Sequence, residues 1–133
     1  MPQTITKGFK TLLDEANTIV DTLSVEQAKT LIDNDDYLFV DLRDIREIQR
    51  GGMLPGAFSC PRGMLEFWID PDSPYHKPAF NQDKTYVFYC ASAWRSALAA
   101  RAAMEMGLRP VMHLEGGFGA WVKQGGSVVE RTK

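Results

Sequence analysis

The chain has 133 residues, enough for one domain around one core. Apolar content of 44% and charged content of 24% are ordinary for a folded globular protein and exclude a disordered or fibrous chain. A net charge of −2 offers nothing to a polyanion, so nucleic acid is not an expected partner; no apolar run approaches the roughly 18 residues of a membrane span, so no membrane partner is expected either.

At the N-terminus Lys7, Lys10, Asp14 and Glu15 interrupt the apolar stretch that a signal peptide needs, and a cytoplasmic location is the expectation. Phe9, Leu12, Leu13, Ala16, Ile19, Val20 and Leu23 recur at helical spacing and predict an amphipathic helix over about residues 6–21. Ser24 with Gln27 fits a capping box that starts a second helix, with Val25, Ala28, Leu31 and Ile32 turned inward. Tyr37 to Asp41 reads as a short apolar strand, and Asp44 to Arg50 as one or two helical turns. Gly51-Gly52 and Pro55-Gly56 punctuate the next stretch. Ala57 to Cys60 suits another strand and Arg62 to Ile69 a helix; Pro71, Pro74 and Pro78 mark a long loop.

Thr85-Tyr86-Val87-Phe88-Tyr89 is β-branched and aromatic throughout and reads as a buried strand. Cys90-Ala91-Ser92-Ala93-Trp94-Arg95-Ser96 follows, then the strong helix former Ala97 to Met104. That helix is expected to bury Leu98, Ala99, Ala102, Ala103 and Met106 and to stop at Gly107. Val111 to Leu114 is the last strand, and Gly116-Gly117 opens a short helix through Trp121. Strands alternate with helices, so the class is α/β with a largely parallel sheet. Ligands of such sheets bind at the carboxyl ends of strands, which is where Cys90 stands.

A thiol between a strand and a helix N-terminus meets backbone N–H groups and the positive end of a helix dipole, which favour anionic sulfur. Cys90 is therefore the candidate nucleophile; the competing reading is a buried structural cysteine. Arg95 can hold an anion or brace the loop, and Ser92 and Ser96 can contact a substrate or cap the helix. Trp94 can wall a pocket or pack on a neighbouring segment. Asp41 and Arg43 suit an ion pair, with substrate contact as the alternative. Gly116 and Gly117 permit a tight turn and close backbone approach. Cys60 matches no motif and reads as a buried hydrophobe, with a resolving thiol for Cys90 as the alternative. Two cysteines make no disulfide framework, and both are expected as free thiols. His76 and His113 stand alone, and no cluster has metal-ligand spacing, so no metal is expected.

Cys90 to Arg95, a Cys-x4-Arg loop followed by Ser96, resembles the active-site loop of rhodanese-type sulfurtransferases. Val40-Asp41-Leu42-Arg43-Asp44 resembles that family's Asp-x-Arg-acidic motif, and Gly52-Met53-Leu54-Pro55-Gly56-Ala57 its Gly-His-Ile-Pro-Gly-Ala segment. Leu114-Glu115-Gly116-Gly117-Phe118-Gly119-Ala120-Trp121 is similar to its closing motif. The resemblance implies a rhodanese-like three-layer α/β fold, a central sheet flanked by helices. It implies one domain over residues 1–133, with a core at 24–125 and an N-terminal helical extension at 1–23. It further implies a Cys90 persulfide, with Ala91, Ser92, Ala93, Trp94, Arg95, Ser96 and Arg43 as substrate contacts and Asp41 as structural support. A small-molecule or protein sulfur donor and a thiol or cyanide acceptor are the implied partners; no cofactor is implied. Two other readings share the fold: a non-catalytic binding module, and a phosphatase or arsenate reductase, whose loops carry Cys-x5-Arg. Ala93 stands where the family often has glycine, so the backbone there is expected to suit a residue with a Cβ. Met53 replaces the usual histidine, a change expected to concern packing.

Overall fold

The computed structural model describes residues 2–131; Met1 and residues 132–133, which the sequence counts within the domain, lie outside the described residues. The first helix, α1, spans Phe9–Ile19 and is followed directly by strand β1, Asp21–Leu23. The helix is thus shorter than its periodicity suggests, because Leu23 belongs to a sheet edge and pairs in parallel with Leu114. Helix α2, Val25–Leu31, starts at the Ser24–Gln27 capping box expected from sequence. Strand β2 is Tyr37–Asp41 and helix α3 is Ile45–Gly51, which opens on a second capping box, Asp44 with Glu47.

Strand β3 is only Phe58–Ser59. A 3-10 turn at Arg62–Met64 leads into helix α4, Leu65–Ile69, and a further 3-10 turn, Pro78–Phe80, lies in the loop beyond. Strand β4, Thr85–Tyr89, precedes helix α5, Trp94–Glu105; strand β5, Val111–Leu114, precedes helix α6, Gly117–Lys123.

The five strands form one all-parallel sheet in the order β1-β5-β4-β2-β3. Strand β4 is central, as its unbroken apolar run requires for a strand covered on both faces. One face packs Val40, Phe88 and Val111 against Val20, Leu65, Ile69 and the alanines of α5. The other packs Phe39, Val87, Tyr89 and Leu114 against Val25, Ala28 and Trp121 of α2 and α6. The result is three layers, helix–sheet–helix.

Helix α5 turns a different stripe inward from the one its larger apolar residues suggest. Ser96, Ala97, Ala99, Ala100 and Ala103 are buried, whereas Leu98 and Ala102 are half-buried and Met106 is exposed. Small side chains let this helix lie close to the sheet, and Met106 caps its C-terminal end on the exposed side. In α1 only Ala16 is buried; Phe9, Leu12 and Ile19 are exposed, contrary to the periodic stripe.

Candidate active site

Cys90 follows the last residue of β4, and α5 begins four residues later at Trp94. The residue is 1% exposed. The Ser96 N–H donates to its sulfur at 3.4 Å, and the thiol lies 3.6 Å from the Ser96 hydroxyl. The turn is made possible by Ala93, which sits in the left-handed region at φ 73°, ψ 7°. This corrects the expectation from sequence: the loop keeps a glycine-like backbone although Ala93 carries a Cβ.

The loop is clamped from outside by the start of α6. Phe118 N–H donates to the Cys90 carbonyl at 2.8 Å, and Gly119 N–H to that of Ala91 at 3.1 Å. Gly117 makes this approach possible, since a Cβ there would lie 2.5 Å from the Cys90 carbonyl oxygen. The carbonyls of Cys90 and Ala91 are thereby taken up by α6. The N–H groups of Trp94 and Arg95 belong to a first helical turn, which has no intrahelical acceptor for them.

Arg95 makes a two-point ion pair with Glu47 at 2.8 and 3.0 Å. The hydrogen bonds from Arg95 hold the Glu47 carboxyl below its ordinary range. The cation of the loop is thereby tied to the first turn of α3, which the Asp44–Glu47 capping box builds. Among the described residues, Ser92 is exposed, and Ala91 and Ala93 are half-buried. Trp94 is 57% exposed and packs against Phe9 of α1, ring centroids 4.9 Å apart.

Asp41 and Arg43 lie beneath the loop as a buried pair. The guanidinium donates to Asp41 through Nε at 3.0 Å and Nη2 at 2.7 Å, and Nη2 also reaches the Gly52 carbonyl at 2.7 Å. The Tyr89 hydroxyl donates to Asp41 at 2.6 Å and accepts from Leu54 N–H at 3.1 Å. Burial, with Asp41 beside it, pushes the Tyr89 phenol up, so it stays a donor. The Phe118 ring covers the guanidinium, 4.0 Å from its carbon to the ring centroid. Arg43 is 3% exposed, and its Nε and Nη2 are taken up by Asp41 and the Gly52 carbonyl. Met53 is buried and pairs with Val129 in an antiparallel bridge, a packing role.

A further group touches the site that sequence reasoning left aside. His113 of β5 lies with Nδ1 3.0 Å from the Ser96 hydroxyl. Its Nε2 is 3.0 Å from Asn17 Oδ1 and 3.4 Å from the Thr22 hydroxyl. Burial pushes the imidazole below its ordinary value, favouring the neutral ring. Cys60, by contrast, lies in the apolar core, where burial pushes its thiol up to about 12. The two cysteines are both free thiols.

Residues 24–124 match the family described as Rhodanese-like domain. The chain belongs to the rhodanese-like family. A sulfurtransferase from Allochromatium vinosum is 33% identical over 110 residues, covering 83% of this chain and 92% of its own. Among solved structures, a protein of unknown function from Rhodopseudomonas palustris, described as a possible tyrosine phosphatase, is 59% identical with a TM-score of 0.94. The match covers 97% of this chain and 99% of that one. A rhodanese-related protein from Thermoplasma volcanium shares the fold at 23% identity and a TM-score of 0.67, over 84% of this chain and 99% of its own. The rhodanese-like domain therefore has a sulfurtransferase-family role, and sulfur donor and acceptor substrates go with it. No helix among its described residues is long and apolar enough to cross a membrane.

Within this rhodanese-like domain, sequence reasoning missed Glu47, Tyr89, His113, Phe118 and Asn17. The capping-box spacing makes Glu47 visible as a cap, but nothing local links it to Arg95. Alternation along β5 places Val111 and His113 on one face; the chain itself does not say that Ser96 covers that face.

Proposed function

We propose that this rhodanese-like domain moves a sulfane sulfur through a persulfide on Cys90. The reading is carried by one observation: Cys90 directly follows the central strand, its sulfur receives the Ser96 N–H at 3.4 Å, and it precedes Arg95 by a four-residue gap. In the first half-reaction the thiolate attacks the donor's sulfane sulfur. The donor's bond to that sulfur breaks, its electron pair leaves with the donor, and a Cys90 persulfide forms. In the second, a thiol or cyanide acceptor attacks the outer sulfur and Cys90 leaves as thiolate. Electrons balance without a cofactor. The outer sulfur takes hydrogen bonds from the N–H groups of Ala91 to Arg95, with the Ser92 hydroxyl at the rim, in the manner of an oxyanion hole. Reduced thiols, as in a cytoplasmic setting, suit this cycle.

The donor follows from charge. Arg95 is paired with Glu47 and Arg43 with Asp41, so a thiosulfate dianion meets no unpaired guanidinium from either. A less charged persulfide, small or protein-delivered, is the better donor. The exposed face of Trp94 offers an apolar or thiol-bearing acceptor a surface to lie against.

A phosphatase is the second reading, favoured by the likeness to the Rhodopseudomonas palustris protein. Loop length opposes it. One residue more adds up to about 3.5 Å of contour, which a tetrahedral oxyanion needs and a single sulfur does not.

Mass spectrometry after incubation with thiosulfate or a small-molecule persulfide tests the assignment. The expected result is a gain of one sulfur, lost in Cys90→Ser and kept in Cys60→Ser. Cys90-dependent hydrolysis of an aryl phosphate with no sulfur adduct is the result that overturns it.

A further inference from the structure

Cys90 is nearly sealed from solvent, yet it must shed a proton to act as a nucleophile, and water has little direct access to take it. We propose that Ser96 and His113 form a proton relay from the Cys90 thiol to the α1–β1 edge of the sheet, with Asn17 and Thr22 orienting the imidazole. The proposal rests on the reading above only in taking Cys90 as the reacting thiol.

The links are continuous and each has a defined polarity. Asn17 turns its amide oxygen to Nε2 at 3.0 Å, which places the ring hydrogen on Nε2 and leaves Nδ1 an acceptor. Nδ1 therefore takes the hydrogen of the Ser96 hydroxyl, 3.0 Å away. The Ser96 oxygen then offers a lone pair to the thiol hydrogen, across the 3.6 Å contact. Asn17 and Thr22 are exposed, so the chain opens to solvent at its far end.

The transfer balances without any other reactant. The Cys90 S–H proton passes to the Ser96 oxygen as the Ser96 proton passes to Nδ1. The products are a thiolate, an intact hydroxyl and an imidazolium. The thiolate then accepts from both the N–H and the new O–H of Ser96. Solvent beside Asn17 and Thr22 then takes the Nε2 hydrogen, and the ring is left neutral with its hydrogen on Nδ1, donating to the Ser96 oxygen.

The groups touching the imidazole are uncharged: Ser96 from α5, Asn17 from α1 and Thr22 from β1. At the α1–α5 interface, Glu15 is paired with Lys7 and Arg101. Burial alone shifts the ring toward its neutral form, so Nδ1 is free to accept and the ring passes a proton on rather than keeping it. Cys60 is the internal contrast: it is equally buried, and among the described residues its thiol has only the Pro61 carbonyl as a polar partner and no such chain.

Alkylation of the reduced protein by iodoacetamide, in a Cys60→Ser background, reads the relay without any sulfur donor. His113→Gln and Ser96→Ala are each expected to slow alkylation at pH 7 by about tenfold, a modest share of what positioned acid–base groups supply. The double variant is expected to be no slower than either single one, because both break one chain. Ser96→Thr, which keeps the hydroxyl, is expected to retain the rate. The advantage of the native protein over His113→Gln shrinks as pH falls and the imidazole is protonated. Asn17→Ala, at an exposed position, gives a smaller loss in the same direction and serves if a buried variant fails to fold. Unchanged alkylation in folded variants, or a loss that is constant with pH, overturns the relay. A working relay in a protein that forms no persulfide would leave the relay standing and remove the sulfur-transfer reading.

Discussion

Ala93 shows how one residue can hold a loop in a backbone it does not prefer. Its φ of 73° lies where a Cβ crowds the following carbonyl, and it is the one non-glycine residue in that region among those described. The left-handed conformation costs about 1–2 kcal/mol for a residue with a side chain, against about 0.5–1 kcal/mol of extra chain entropy lost by glycine. Ala93→Gly is therefore expected to stabilise the protein by about 0.5–1 kcal/mol, a rise of about 2–4 °C in Tm by calorimetry. A fall in Tm would show that the alanine methyl packs well enough to outweigh the backbone. The Cβ also limits how far the loop can flex, so the substitution trades a fixed cradle for a relaxed one.

Helix α3 and helix α5 meet through their first turns, and the meeting decides how much charge the site presents. Glu47 serves twice: its carboxylate closes the capping box on Asp44 N–H at 3.1 Å and holds both arms of Arg95. Glu47→Gln keeps the shape and removes the negative charge. Arg95 then has less to hold it, and its guanidinium is free to meet an anionic donor. The expected outcome is a KM for thiosulfate lower by about three- to tenfold, the range of one charge-assisted contact at a partly exposed site. A raised KM in this variant would show that Arg95 serves best when held in place, as a brace for the loop.

At the scale of the whole molecule, His113 joins four elements: it sits on β5 and bonds to α5, α1 and β1. Its imidazole is pushed below the ordinary value of 6.5 by burial, so the unfolded chain takes up a proton first as pH falls. Folding stability is then full above that ordinary value and declines as pH falls toward the native one. Thermal melting between pH 7.5 and 5.5 is expected to show a falling Tm, and His113→Gln is expected to flatten that slope. An equal slope in the variant would assign the effect to other groups. Glu47, Asp44 and Glu15 are shifted in the same direction, held below the carboxylate range by their basic partners or by N–H donors, and their contributions are lost only at lower pH.

The sequence by itself determined the elements whose signals are local. The buried strand Thr85–Tyr89, the turn after Cys90 and the alanine-rich helix set the order strand, thiol, loop, helix. Ser24 with Gln27 marked a helix start because a capping box is contained in four residues. The α/β class followed from alternation alone. Tertiary structure decided what depends on contact between distant segments. Strand β1 has three residues, too few to show a period, and exists only because β5 offers it a parallel edge. The buried stripe of α5 was ambiguous because apolar residues run nearly all round it, and closeness to the sheet selected the alanines. Glu47 and Arg95 are 48 positions apart, and His113 is 96 from Asn17. Paired charges and hydrogen-bond chains of that span have no local pattern, because they are made by packed layers and not by neighbours along the chain.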